Sequence, residues 1–286
     1  MTPAATPLRK GLPVADDLLA IDLGATKIAL CRGPVDGVVV ERPLPRLGDA
    51  RRELSALSGL LRSGSAGFRG TPVVVVAPAV RDGVVGSWPN RPYWAGLPLA
   101  DLFAEALGSD VVLLADGDAA AIADAYAVPG ADTGGGEDVC HVSLYLGTGV
   151  AGGIARGGRP LRLGPVNPEL GHIATRLDGP PCSCGATGCL QAAWTGFGDG
   201  TTTATAFAAE LARHLRTVSR IFPACVVSLG GRYVDANRRG AEELLAQVRE
   251  RLPDDDWTPR LRLSTAGAHA PLRGGLFYAA CLGGRP

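Results

Sequence analysis

The sequence predicts an α/β fold of two lobes with a cleft between them. Short apolar strand runs alternate with helical periodicity along most of the chain. A strand that runs into a Gly-Thr turn occurs twice, as "DLGATK" and "YLGTGV", a weak internal repeat that opens two βββαβα-like halves. Between the halves lies a Gly-rich joint, "GADTGGGED" (130–138). These boundaries divide the chain into a leader at 1–16, a first lobe at 17–128 and a second lobe at 129–274. A closing helix at 275–286 is expected to pack back on the first lobe.

Within the first lobe, "DLLAIDLG" (17–24) is a buried-strand run ending in Gly, and "TKIALCR" and "GVVVE" continue it as a meander. Leu54, Leu57, Leu60 and Leu61 recur at helical spacing across 49–63. "TPVVVVAPA" (71–79) is continuously β-branched, as a strand covered on both faces would be. A helix "LADLFAEALG", a strand "DVVLLAD" and a helix "DAAAIADAYA" follow. In the second lobe the strand "VCHVSLYLGTGVAGGIARGG" precedes a long helix near 201–221, then strand "ACVVSLGG", helix "AEELLAQVRER" and strand "LRLS".

The balance of 28 basic and 28 acidic residues leaves no basic footprint for nucleic acid or an anionic membrane. No apolar run reaches the ~18 residues needed to span a bilayer. The N-terminal stretch lacks the basic start and apolar core of a signal peptide, so the cytoplasm is the expected compartment and thiols there stay reduced. Cys31, Cys140, Cys225 and Cys281 sit singly among apolar neighbours and read as small hydrophobes.

Asp22, Gly24, Thr26 and Lys27 fall at the end of the first strand. A strand–Gly–X–Thr turn opens backbone N–H groups to phosphate oxygens, with Thr adding a hydroxyl, and Asp22 is placed to hold a Mg²⁺-bound water. Gly147, Thr148 and Gly149 repeat the device, and Gly230 and Gly231 end a third strand where an adenosine or α-phosphate could lie against the backbone. Each alone reads as a plain tight turn; three at strand ends of an α/β chain point to nucleotide phosphate. Asp116 and Asp118 follow another strand, where either could cap the next helix or take a proton from an attacking hydroxyl.

His172, Cys182, Cys184 and Cys189 share a Gly/Pro-rich loop at 172–189, a Cys₃His set suited to tetrahedral Zn²⁺. The absence of a Cys-x-x-Cys speaks against redox chemistry, and four protein ligands make the site structural rather than catalytic.

Taken together these segments resemble the ROK family (repressors, open reading frames and sugar kinases), whose members share the actin-like ATPase (ribonuclease H-like) fold with hexokinases. "DLGATK" resembles its first phosphate loop and "LGTGVAGGI" its second. "WPNRPYWAGLPLADLFAEALG" resembles its sugar-side segment, and "ADGDAAAIADA" its "NDANAAALAE". "ELGH…CSCGATGCLQ" resembles its zinc signature "EIGH…CxCGxxGCLE". The resemblance implies an ATP- and Mg²⁺-dependent kinase acting on a primary hydroxyl of a hexose or hexose-like cyclitol. It implies Asp116 as general base, and Asn90, Glu169, His172 and Gln191 along the hydroxyls. It also implies a homodimer.

Two positions depart from the pattern: Ala115 stands where the family has Asn, and Gln191 where it has Glu. Losing hydroxyl-reading groups alters which polyol fits, which disfavours glucose and admits a C7-cyclitol. The stretches between Gly164 and Glu169, and between Gln191 and "SLGG", are short for the family. A transcriptional regulator would need a helix-turn-helix ahead of the first strand, where only 16 residues stand. A catalytically degenerate sugar sensor is the remaining alternative, weighed against by Asp116, both Gly-Thr loops and the zinc ligands.

Overall fold

The structure, a computed structural model, describes residues 17–127, 139–162 and 168–283. The leader, the Gly-rich joint and most of the short Gly164–Glu169 stretch lie outside the described residues.

β1 (Leu18–Leu23), β2 (Lys27–Gly33) and β3 (Val39–Pro43) form the expected antiparallel meander. The single helix expected at 49–63 is two, α1 (Ala50–Ala56) and α2 (Ser58–Ser65). Asp49 caps α1 by accepting the Arg52 N–H at 2.9 Å. At Leu57 the backbone tightens, donating to Leu54 O at 3.0 Å, and the chain turns with Leu54, Leu57 and Leu61 all still buried.

β4 (Val73–Val76) runs parallel to β1 in the sheet interior with every residue buried. A hairpin of β5 (Ala79–Arg81) and β6 (Val84–Ser87) turns through Asp82 and Gly83, both at positive φ (51° and 80°). A short 3₁₀ turn (Pro92–Trp94) and α3 (Leu99–Leu107) lead to β7 (Val112–Ala115), parallel to β4. The first sheet therefore has the order β3-β2-β1-β4-β7.

After α4 (Asp116–Tyr126) the same plan repeats. β8 (Cys140–Leu146), β9 (Val150–Arg156) and β10 (Arg159–Pro160) make a second meander. The chain then forms a turn at Leu170–His172, α5 (Leu190–Gly198) and α6 (Ala204–Ile221). β11 (Val226–Gly230) lies parallel to β8, and α7 (Arg232–Ala236) and α8 (Arg238–Arg249) connect it to β12 (Arg260–Leu263). The order β10-β9-β8-β11-β12 matches the first sheet strand for strand. α5 and α7 are absent from the sequence reading; α5 helps fill the stretch after Gln191.

α9 (Ala270–Gly283) returns to the first lobe. Its Leu272, Leu276 and Phe277 are buried in one cluster with Leu18, Val75, Leu114 and Ile122. Such side chains contribute about 1.5–3 kcal/mol each when fully buried.

α4 is the element both lobes share. Gly117 to Ala125 are all buried, and the run is mostly Ala because neighbours press on it from several sides. A Cβ on Gly117 would lie 2.2 Å from Gly152 O on β9, and one on Gly153 would lie 2.0 Å from Gly117 C. On another side, a Cβ on Gly274 of α9 would lie 1.8 Å from Ala119 O. Backbone meets backbone, so α4 has one seat. Gly274→Ala should destabilise the protein by about 1–3 kcal/mol, read by thermal unfolding, because α4 or α9 must shift to admit the methyl.

Candidate active site

β1, β4 and β7 run parallel and end together, with Leu23 opposite Val76 and Val76 opposite Ala115. Ligands of open α/β sheets lie beyond such carboxyl ends. Asp22, near the end of β1, and Asp116, the first residue of α4, stand there, each half-buried. Burial pushes the Asp116 carboxyl up to about 8, with the charges of Asp22, Glu169 and Asp118 adding to it and the Gly117 N–H (2.7 Å) opposing. Asp22 rises to about 6, through burial first, against the pull of Lys27. Glu169, on the second lobe, has its carboxyl raised by the burial of its head group, against the pull of His172. Asp118 caps nothing. It is buried and accepts the Ile154 N–H of β9 at 3.2 Å, tying α4 to the second sheet.

A Gly-Thr turn joins the first two strands of each sheet. In the first, Gly24 N–H closes on Lys27 O at 3.0 Å and leaves Thr26 exposed at the tip. The Lys27 ammonium is engaged by Glu41 at 2.5 Å. In the second, Gly147 N–H closes on Gly149 O at 2.9 Å, and Thr148 is exposed. Two side chains of α5 brace it: Trp194 Nε1 donates to Gly147 O at 3.0 Å, and Gln191 Oε1 accepts the Val150 N–H at 2.7 Å. At the third turn Gly231 has φ 93°, and a Cβ there would lie 2.8 Å from Leu146 N. This glycine lets β11 close against the end of β8 as well as leaving the backbone bare.

The Cys₃His set converges. One donor atom each from His172, Cys182, Cys184 and Cys189 all lie within 4.8 Å of one another. Zn–S and Zn–N bonds of tetrahedral zinc imply S···S and N···S edges of ~3.8 and ~3.5 Å. Cys184 Sγ and Cys189 Sγ are 3.7 Å apart, and Cys182 Sγ and His172 Nδ1 3.4 Å. The donor set and spacing fit that ion. With Nδ1 turned inward, the other ring nitrogen of His172 is left for a different partner.

Residues 18–199 match the model of the ROK family. The chain belongs to the ROK family. It is 34% identical over 194 residues to kanosamine kinase of Amycolatopsis mediterranei, a match covering 62% of this chain and 59% of that protein. It is 31% identical over 184 residues to glucokinase of Thermotoga maritima, covering 61% and 56% respectively. The matches thus span less than two thirds of these relatives. The ROK hexokinase of Thermus thermophilus superposes with a TM-score of 0.69 at 29% identity, covering 93% of this chain and 98% of that one.

The ROK chain accordingly has the two-lobed, actin-like α/β fold that its sequence predicts, with two mixed five-stranded sheets and a Cys/His cluster consistent with a zinc loop. Among the described residues no helix is long and apolar enough to cross a membrane. Asp22, Asp116 and Glu169 are brought within electrostatic reach of one another, while Asn90 is exposed on the first lobe, its carbonyl accepting Arg46 Nη2 at 2.5 Å. Gln191 lies beside the second Gly-Thr turn: its carbonyl accepts the Val150 N–H at 2.7 Å, and its amide nitrogen lies 3.3 Å from Thr195 Oγ1. Sequence reasoning missed Trp194, Glu53 and Arg91. Only an Arg next to Asn90 in the sugar-side segment could have drawn notice to the last.

Metal analysis of the purified ROK protein should find about one zinc per chain, and Cys184→Ser should lower that content together with the melting temperature. Full zinc retention in the variant would contradict a four-ligand site.

Proposed function

We propose that this ROK protein is an ATP-dependent kinase that phosphorylates the primary hydroxyl of a hexose or hexose-like cyclitol, with Asp116 as general base. The observation that carries this reading is the Asp116 carboxyl at the carboxyl ends of the first sheet's parallel strands, raised to about 8 by burial and by the charges of Asp22, Glu169 and Asp118. A base poised near the operating pH is the most effective one.

In the proposed reaction the acceptor oxygen attacks the γ-phosphorus of ATP, the new P–O bond forms as the bond to the β,γ-bridging oxygen breaks, and ADP leaves. The hydroxyl proton passes to an Asp116 carboxylate oxygen. The N–H groups of Ala25 and Thr26 and of Thr148 and Gly149 hold the phosphates, and Gly230–Gly231 leaves room for the adenosine. Asp22 would hold Mg²⁺ through water. The fit is electrostatic: burial raises Asp22 to about 6, burial and the charge of Asp22 raise Asp116 to about 8, and Lys27 is already engaged by Glu41. When bound, that ion spreads the charge of the transferring phosphoryl group.

Asn90, Glu169 and the outer nitrogen of His172 read the acceptor's hydroxyls, and zinc acts only by fixing the His172 ring. Ala115 supports an acceptor other than glucose. It borders a cavity of about 330 Å³ whose wall also includes Asp82 of the β5–β6 turn and Arg162 of the second lobe. With Gln191 turned to the second loop, that side of the acceptor loses a further contact. The similarity to a kinase whose name denotes an amino sugar is in keeping with such a change.

A screen of ATP consumption across hexoses, amino sugars and C7-cyclitols tests the reading. Glucose should be a poor acceptor beside another polyol, and efficient glucose turnover would refute the altered pocket. Asp116→Asn should lower kcat about 10²–10⁴-fold with nucleotide affinity kept, and near-normal turnover would remove Asp116 as base. Binding of polyol and nucleotide with no transfer in the wild type would make the protein a sensor.

A further inference from the structure

Arg91 and Glu53 form an ion pair at 2.5 Å with side chains only 2% and 0% exposed. Burial would raise the Glu53 carboxyl, yet the Tyr93 hydroxyl, Trp94 indole, Leu47 amide and Arg91 charge outweigh it and hold it below the ordinary range. Glu53 Oε1 accepts from Leu47 N–H (2.7 Å) and the Tyr93 hydroxyl (2.7 Å), and Oε2 accepts from Trp94 Nε1 (2.9 Å). Breaking such a pair is costly, but an intact one stabilises little, because desolvation offsets attraction. Its contribution is geometric.

The guanidinium fork reaches three backbone carbonyls. Nε donates to Ala25 O at 3.0 Å, Nη1 to Pro45 O at 2.8 Å and Nη2 to Leu44 O at 3.1 Å. Ala25 is the middle of the Gly24–Thr26 loop. Leu44 N–H in turn donates to Thr26 O at 2.9 Å, so Arg91 holds that loop directly and through a neighbour. The main chain of Arg91 shapes the other side: its N–H donates to Trp88 O at 2.8 Å and its carbonyl accepts from Trp94 N–H at 3.0 Å, forming the turn that presents Asn90.

We propose that Arg91, fixed by Glu53, is a positioning residue that locks the Gly24–Thr26 loop and the Asn90 turn into one unit, setting the donor and acceptor sides of the cleft together. This rests on the kinase reading for its purpose, but the mechanical coupling stands apart from it. A lysine could meet Glu53 yet cannot span Ala25 and Leu44 at once, since an ammonium has no planar fork.

The test is backbone hydrogen exchange on the intact chain with Arg91→Lys. Exchange at Gly24–Thr26 and at Trp88–Arg91 should quicken together by about tenfold or more, with β8 and β11 unchanged. In turnover, the KM values for ATP and for the acceptor should rise by similar factors. Loosening of one segment alone, loosening of neither, or a rise in only one KM overturns the proposal; general acceleration across both lobes means a merely structural role and overturns it too. Should Arg91→Lys not fold, the double variant R91M/E53L, which leaves no uncompensated charge, is read the same way. A wild type that transfers no phosphate would sink the kinase reading while the exchange result still decides the coupling.

Discussion

The contact of α4 with its surroundings, backbone against backbone, is the constraint on which the rest of the molecule depends. At Gly117 the helix touches β9 through Gly152 and Gly153, and at Ala119 it touches α9 through Gly274. No side chain fills either crossing, so neither can slide without a clash. Side chains then pin the helix to the second sheet at two heights. Asp118 takes the Ile154 N–H, and Asp124 takes the hydroxyls of Ser143 and Ser264, while Arg262 donates to its carbonyl at 2.7 Å. The opposite side lies on the first lobe with α9. A helix so held carries its first residue to one place, and that residue is Asp116.

Placing a carboxylate there has an electrostatic cost. The N-terminus of α4 favours a negative charge, but burial and three neighbouring carboxyls outweigh it. This is the balance an active-site base requires, since a relaxed, fully hydrated Asp would be a weak one. The repeated sheet topology supplies the other half of the geometry. Because each lobe opens with the same strand–turn–strand unit, each carries a Gly-Thr loop braced from its own lobe: the first by Arg91, the second by Gln191 and Trp194.

How far these features were legible follows from the range of the interactions. The Gly-Thr loops, the strand ends bearing Asp22 and Asp116, and the Cys₃His knot are local patterns, and each is written within a few residues. The likeness of the two lobes could be anticipated because the two halves repeat. The Leu57 break was not legible, since Leu54, Leu57 and Leu61 keep helical spacing through it. Glu53 reads as one more polar residue of a helix; its side-chain partners are 38 to 41 positions away. Nothing local to Gln191 shows that a backbone N–H 41 residues earlier in the chain donates to its carbonyl. Asp118 likewise looks like a cap until Ile154, 36 residues on, is seen to donate to it.

The claim that Asp116 is held against its preference is tested most directly by the pH dependence of stability. A carboxyl raised from 3.8 to about 8 by folding binds its proton more tightly in the native state, so it costs stability progressively as pH rises from about 4 to about 8. Asparagine, which stays neutral, escapes that cost. Melting curves of the ligand-free wild type and Asp116→Asn should coincide near pH 4, and the variant should become increasingly the more stable of the two toward pH 8. A difference that stays constant with pH, or a wild type that gains on the variant, would contradict the account.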